Sequence, residues 1–147
     1  MNAKELMTPE LDVVTSQDLL SKAAQVMRDR NVGSVPVVES RDSMKLQGII
    51  TDRDIAVRHV VEDHGRGCIV SAHMTKGPIE TVDENDDLGK VLEAMKRAEV
   101  RRVLVTGQNG RLVGIIAQAD LATSDQVPMR EMAEVVQTIS ESTDARR

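Results

Sequence analysis

The chain contains itself twice, and no other property constrains its fold as tightly. Leu20, Ala23, Ala24 and Met27 recur as Leu88, Val91, Leu92 and Met95, each 68 residues later. Both quartets are spaced i, i+3, i+4, i+7, so each predicts the apolar stripe of an amphipathic helix. The same offset carries Ser34–Val38 (SVPVV) onto Arg102–Thr106 (RVLVT), two β-branched runs that predict short strands. The offset then falls to 66, where Leu46–Ile50 (LQGII) aligns with Leu112–Ile116 (LVGII). The lost residues lie in the connection, Glu39–Lys45 in one copy and the shorter Gly107–Arg111 in the other. Surface turns tolerate such changes in length, and Asn109-Gly110 is a hairpin signal. Each copy opens on Met-Thr, at Met7-Thr8 and Met74-Thr75, and closes on an aspartate, Asp54 or Asp120.

Each copy therefore reads as strand (12–15; 79–82), helix, strand, hairpin, strand, helix. Asn31-Val32-Gly33 suits the left-handed end of the first helix. Pro36 inside a strand pattern marks an edge or a bulge. The helix near 52–62 stops at His64-Gly65-Arg66-Gly67. In the second copy the closing helix breaks at Thr123–Asp125 and resumes after Pro128, with Met129, Met132, Val136 and Ile139 on one stripe. That stripe docks on the core or forms a dimer seam. A copy of about 60 residues makes a marginal core alone, and two packed copies relieve that and create a cleft. The expected divisions are 1–66 for the first repeat with its lead-in, 67–127 for the second, and 128–147 for a C-terminal helix and tail.

Composition removes several function classes. The 147 residues include no Phe, Trp or Tyr. An aromatic cage for a quaternary amine is impossible, and a base-stacking platform for single-stranded nucleic acid is disfavoured. Asp plus Glu outnumber Lys plus Arg by 24 to 19, a net charge of −5, which also argues against nucleic acid. No apolar run approaches the roughly 18 residues of a membrane span. The N-terminus lacks a secretory hydrophobic stretch, and the single cysteine, Cys68, allows no internal disulfide. The expected location is the cytoplasm.

His59, His64, Cys68 and His73 fall close together in sequence, and all are possible zinc ligands. Their spacings of five, four and five match no recognised finger, so they read as a scattered surface set and no metal site is expected, with a metal- or redox-responsive protein acting through Cys68 and these histidines as the lesser alternative. No nucleophile–base–orienter set stands out, so no enzyme is expected.

The combination of Met-Thr, an amphipathic helix, VGSVPVV and LQGIITDRDI, repeated once, resembles a pair of CBS domains, a Bateman module. The resemblance runs from about Glu5 to Leu121 and is similar to stand-alone bacterial two-CBS proteins, some of them hypoxia- or stress-response proteins. It implies an α+β fold of two tandem β-α-β-β-α repeats packed with pseudo-twofold symmetry. It also implies a homodimer and a regulated protein partner. AMP, ADP, ATP or S-adenosylmethionine would bind in the cleft between repeats, with no cofactor required; the alternative is a ligand-free dimeric interaction or scaffold protein of the same family.

The family's ribose and phosphate motif, G-h-x-T/S-x-x-D, is whole at Gly48-Ile49-Ile50-Thr51-Asp52-Arg53-Asp54. In the second copy, Gly114 to Asp120, the hydroxyl is replaced by Ala117. One competent site near Thr51 and Asp54 is therefore expected, with a weakened or empty one near Asp120. The resemblance further implies that Arg101 and Arg102 reach phosphate. An aliphatic slot of Val14, Thr15, Val35, Pro36 and Val37 would hold the base. The residues also have plainer readings: Thr51 and Asp54 as a helix cap and first-turn acid, Arg101 and Arg102 as a solvated face.

Overall fold

The computed structural model describes residues 1–9, 11–63 and 65–145. In chain order they form α1 (Ala3–Leu6), β1 (Val14–Thr15), α2 (Leu20–Arg30), β2 (Ser34–Val38), β3 (Leu46–Thr51) and α3 (Asp52–Asp54). Then come β4 (Thr81–Asp83), α4 (Leu88–Ala98), β5 (Arg102–Thr106), β6 (Leu112–Ala117), α5 (Gln118–Ala122) and α6 (Met129–Ala145). α3 continues into a wide π-helical stretch, Ile55–Val60. The architecture is mixed α+β, with two three-stranded sheets ordered β1-β2-β3 and β4-β5-β6. In each, the first pair is parallel and the second antiparallel.

The chain divides into two compact units. One holds Asp12–Ile79 with the turn Asn109–Arg111; the other holds Met1–Leu11, Glu80–Gln108 and the chain from Leu112 onward. Each unit thus takes its leading segment from the other copy. In the first-repeat unit, Leu20 N donates to Cys68 O, Val70 N to Asp18 O, and Thr75 exchanges two backbone hydrogen bonds with Ile49. In the second-repeat unit, Leu88 N donates to Met1 O, Ala3 N to Asp86 O, and Thr8 exchanges two bonds with Ile115. The repeat therefore extends to individual hydrogen bonds.

The Met-Thr openings explain the glycines at Gly48 and Gly114. A Cβ at Gly48 would stand 2.7 Å from the Thr75 carbonyl oxygen and 3.2 Å from Met74 Sδ. A Cβ at Gly114 would stand 2.7 Å from Met7 Cγ. The segment lies flat on the strand only because no side chain is there.

The helices follow the predicted stripes with small rotations. α2 buries Leu20, Ala23 and Met27, while Ala24 is exposed. α4 buries Val91, Leu92, Ala94 and Met95. Both end in a left-handed residue, Asn31 at φ 53° and Glu99 at φ 55°. The β5–β6 turn places Asn109 and Gly110 at positive φ, as the hairpin signal predicts.

One expectation is narrowed and one corrected. Pro36 is not on an edge strand, because β2 is the middle strand of its sheet. It is tolerated because β1 begins opposite Val37, leaving no strand partner beside Pro36 on that flank. A register shift at Val37/Val38 supplies the bulge. In α6 the buried row is Met132, Val135 and Ile139, while Met129 is 88% and Val136 40% exposed. The core lies one residue round from the expected stripe, and Met129 opens the helix before it meets that core.

The two cores differ in size. Val127, Met132, Val135 and Ile139 add to the second-repeat core beside Val91, Met95 and Ile116. The first-repeat core is built on Val14, Leu20, Val35, Val37, Ile50 and Val70, with no counterpart of α6 among its residues.

A matched pair of turns precedes α2 and α4. Asp18 accepts from Thr15 N at 2.9 Å, and Asp86 from Asp83 N at 2.9 Å. Burial pushes Asp18 up, but the bonds from Thr15 and Arg41 outweigh it and hold the carboxyl below its ordinary value. Asp86 is lowered by the Lys90 ammonium and then by the Asp83 amide.

Gly48→Ala should lower stability by roughly 1–3 kcal/mol in chemical denaturation, because a backbone carbonyl must move. Gly114→Ala should be partly rescued by Met7→Ala, a coupling that a double-mutant cycle measures directly. Asp18 and Asp86 titrate lower in the folded state than in the unfolded one. Their contribution is present above the ordinary value of about 4 and is lost as pH falls through the depressed folded value. The Asp18→Asn/Asp86→Asn double variant should therefore be less stable at neutral pH. It should also lose stability less steeply than wild type in thermal melts below about pH 4.

Candidate functional site

The whole G-h-x-T-x-x-D motif forms a corner where β3 turns into α3. Thr51 is extended (φ −114°, ψ 159°), and its hydroxyl accepts from Asp54 N at 3.0 Å. Asp54 Oδ2 accepts from Thr51 N at 3.1 Å, closing a capping box. The local reading of these two residues as a helix cap is thus realised in full. Asp54 is only 8% exposed. Its carboxylate also receives the Thr75 hydroxyl on Oδ2 at 3.4 Å, and Arg58 Nε stands 3.7 Å from Oδ1.

Thr75 and Arg58 were not singled out from sequence. The signals were present: the Met-Thr that opens each copy, and the i, i+4 spacing of Asp54 and Arg58. Thr75 was hidden because its partner lies in the other copy.

The expected aliphatic slot is split by strand alternation. Val14 pairs with Val37, and both sit with Val35 in the core under α2. Pro36 is buried on the opposite face of β2. Thr15 is half-buried, with its amide held by Asp18.

The second corner is chemically different. Ala117 caps α5 with no side-chain bond, and Asp120 is exposed. Gln118 N donates to Arg101 O at 2.8 Å, which sets Arg101 beside the helix start. The same bond in the first corner runs from Asp52 N to Gly33 O at 2.9 Å. Arg101 and Arg102 are exposed.

The histidines and cysteine are not a scattered surface set. His59, Cys68 and His73 bring their ligand atoms within 4.8 Å of one another, with His73 only 2% exposed. The spacing hid this because the site is made by the fold. His59 lies on the π-helical stretch after α3, and Cys68 and His73 flank the short turn Val70–Ala72. His64, the fourth candidate, lies outside the described residues. No helix among the described residues is long and apolar enough to cross a membrane.

Comparison with known proteins gives a consistent family. The CBS domain model matches residues 3–59 and 70–126. The protein YlbB of Bacillus subtilis is 37% identical over 127 residues, covering 86% of this chain and 84% of that protein. The crystal structure of Hypoxic Response Protein I with two coordinated zinc ions superposes with a TM-score of 0.72 at 29% identity, over 87% of this chain and 100% of that one. The CBS domain protein PAE2072 from Pyrobaculum aerophilum, complexed with AMP, superposes with a TM-score of 0.70 at 24% identity, over 91% and 99% of the two chains.

The two corners should respond differently to loss of their acid. Asp54→Ala removes a capping box and a buried carboxylate's partners, and should cost about 1–2 kcal/mol in urea denaturation. Asp120→Ala removes an exposed group and should stay within about 0.5 kcal/mol.

Proposed function

The chain belongs to the CBS domain family, and on that premise we propose that it is a non-catalytic regulatory protein of the cytoplasm whose ligand is an adenosine compound. AMP, ADP, ATP and S-adenosylmethionine are the candidates. The observation that carries this reading is the unbroken Gly48–Asp54 corner. It joins a strand end, the positive end of a helix start, a threonine hydroxyl and a buried carboxylate. The positive end of a helix start favours an anion, and the carboxylate oxygen left outside the cap can accept from ribose hydroxyls. The AMP held by the Pyrobaculum protein supports this choice of ligand class, since the two chains share the fold.

Binding at this corner works by exchange. Asp54 Oδ2 already accepts from Thr51 and Thr75, so a ribose engages the Oδ1 side and takes the place of Arg58. The freed guanidinium then faces the ligand's phosphate, for which its fork is suited. In the second corner Arg101 and Arg102 offer the same chemistry beside Asp120. That corner binds more weakly, because Ala117 supplies no hydroxyl. The regulated partner responds to the population of the liganded state. In this reading the protein acts as a homodimer, and the exposed Val57, Val60 and Val61 supply apolar surface for a second copy.

Calorimetry and thermal shift with the four compounds test the proposal. At least one should raise the melting temperature at roughly millimolar concentration by binding only the native state. Asp54→Asn, which keeps the shape of the cap, should weaken that binding at least about tenfold. Because the chain has no Trp or Tyr, ultraviolet absorbance of the purified protein reports bound nucleotide with little background. If none of the four stabilises the wild type, the proposal fails.

A further inference from the structure

We propose that His59, Cys68 and His73 form a binding site for a divalent transition metal of the zinc type. The donor set is two imidazoles and one thiolate, the borderline-soft combination that selects zinc over hard cations. Their ligand atoms all lie within 4.8 Å of one another. A tetrahedral zinc holds such donors about 3.3–3.7 Å apart, so side-chain rotations of about an ångström close the set.

The rings are already arranged for a shared ion. The His59 and His73 centroids are 5.1 Å apart, with an interplanar angle of 78°. Two imidazoles on one tetrahedral zinc, each nitrogen about 2.0 Å from the ion, place their centroids about 5 Å apart. Burial favours the site as well. His73 is almost wholly enclosed, and Cys68 packs against the first-repeat core, so a bound ion would be held in a partly desolvated position. The Arg58 guanidinium reaches the His73 carbonyl at 3.5 Å, but its Nε is turned toward the Asp54 carboxylate.

Among the described residues the group stops at three ligands, which leaves a coordination position open to water or an external donor. The ion would fasten two pieces of chain that the backbone joins only through the exposed stretch around Gly65 and Gly67. A Cβ on either of those glycines would meet no other atom within 4 Å. One piece is the helical stretch that follows the Thr51–Asp54 corner. The other is the leading segment whose Thr75 bonds Asp54.

Cobalt(II) and zinc(II) titrations of the chelator-stripped full chain test the site. One equivalent of cobalt should produce a thiolate-to-cobalt charge-transfer band in the near ultraviolet, where a chain without Trp or Tyr is transparent. Zinc should displace the cobalt, raise the melting temperature and slow alkylation of Cys68. Cys68→Ser should abolish the band, and His59→Gln should weaken binding by more than about a hundredfold, beyond the loss of a supporting partner. Both replaced residues are only half-buried, so the variants should fold, which circular dichroism checks independently. Absence of a stoichiometric band in the wild type overturns the proposal. So does a band that survives Cys68→Ser, or wild-type affinity in His59→Gln.

Discussion

Everything in each unit hangs on a pair of backbone hydrogen bonds between a threonine and the edge of an antiparallel hairpin: Thr75 with Ile49, Thr8 with Ile115. Each bridge lays a methionine across a glycine, Met74 over Gly48 and Met7 over Gly114. The close approach requires glycine, because the position of its missing Cβ is already occupied. The bridge in turn holds the segment that feeds backbone bonds to the first turn of α2 or α4. Because the segment comes from the other copy, neither repeat can complete its hydrogen bonding from its own residues. The doubling of the sequence is therefore a structural requirement, beyond the small size of a single core.

The two copies meet that requirement with unequal means. The second-repeat unit gains α6, whose Met132, Val135 and Ile139 enlarge its core. The first-repeat unit closes instead with three residues of α-helix and a π-helical stretch that leaves Val57 and Val60 exposed. A unit with a small core gains most from a cross-link. His59, Cys68 and His73 join that helical stretch to the docked segment of the same unit. An ion there would supply to the first repeat what α6 supplies to the second.

Much of this was legible in the sequence for a physical reason: helix and strand periods are local, and duplicated periods reinforce one another. The stripes of α2 and α4, the strand pairs, the Asn109-Gly110 turn and the Asn31 cap all depend on neighbours within a few residues. The exchange of leading segments was not legible. An alignment of two copies shows that Met74-Thr75 matches Met7-Thr8, but not on which copy either one lands. The same limit hid Thr75 as a partner of Asp54 and made three ligand-type side chains read as scattered. The α6 stripe failed on a finer scale: Val135 and Val136 are both apolar, and only the position of the core chooses between them. No local signal marks Arg58 except its spacing from Asp54.

The Thr51–Asp54 corner shows why the helix-cap reading and the ligand reading are not rivals. A capping box uses one carboxylate oxygen and leaves the other facing an exchangeable partner, here an arginine half exposed to solvent. The cap fixes the carboxylate's orientation before any ligand arrives, so little side-chain entropy is lost on binding. The same cap fixes the first turn of the helix that carries Arg58 and His59. A ligand that displaced Arg58 would release the guanidinium one residue from a histidine of the three-ligand group. An ion at that group would, in reverse, restrict the backbone from which Arg58 must swing. The two sites would therefore be coupled through one turn of helix, and by thermodynamic necessity the coupling would run equally in both directions.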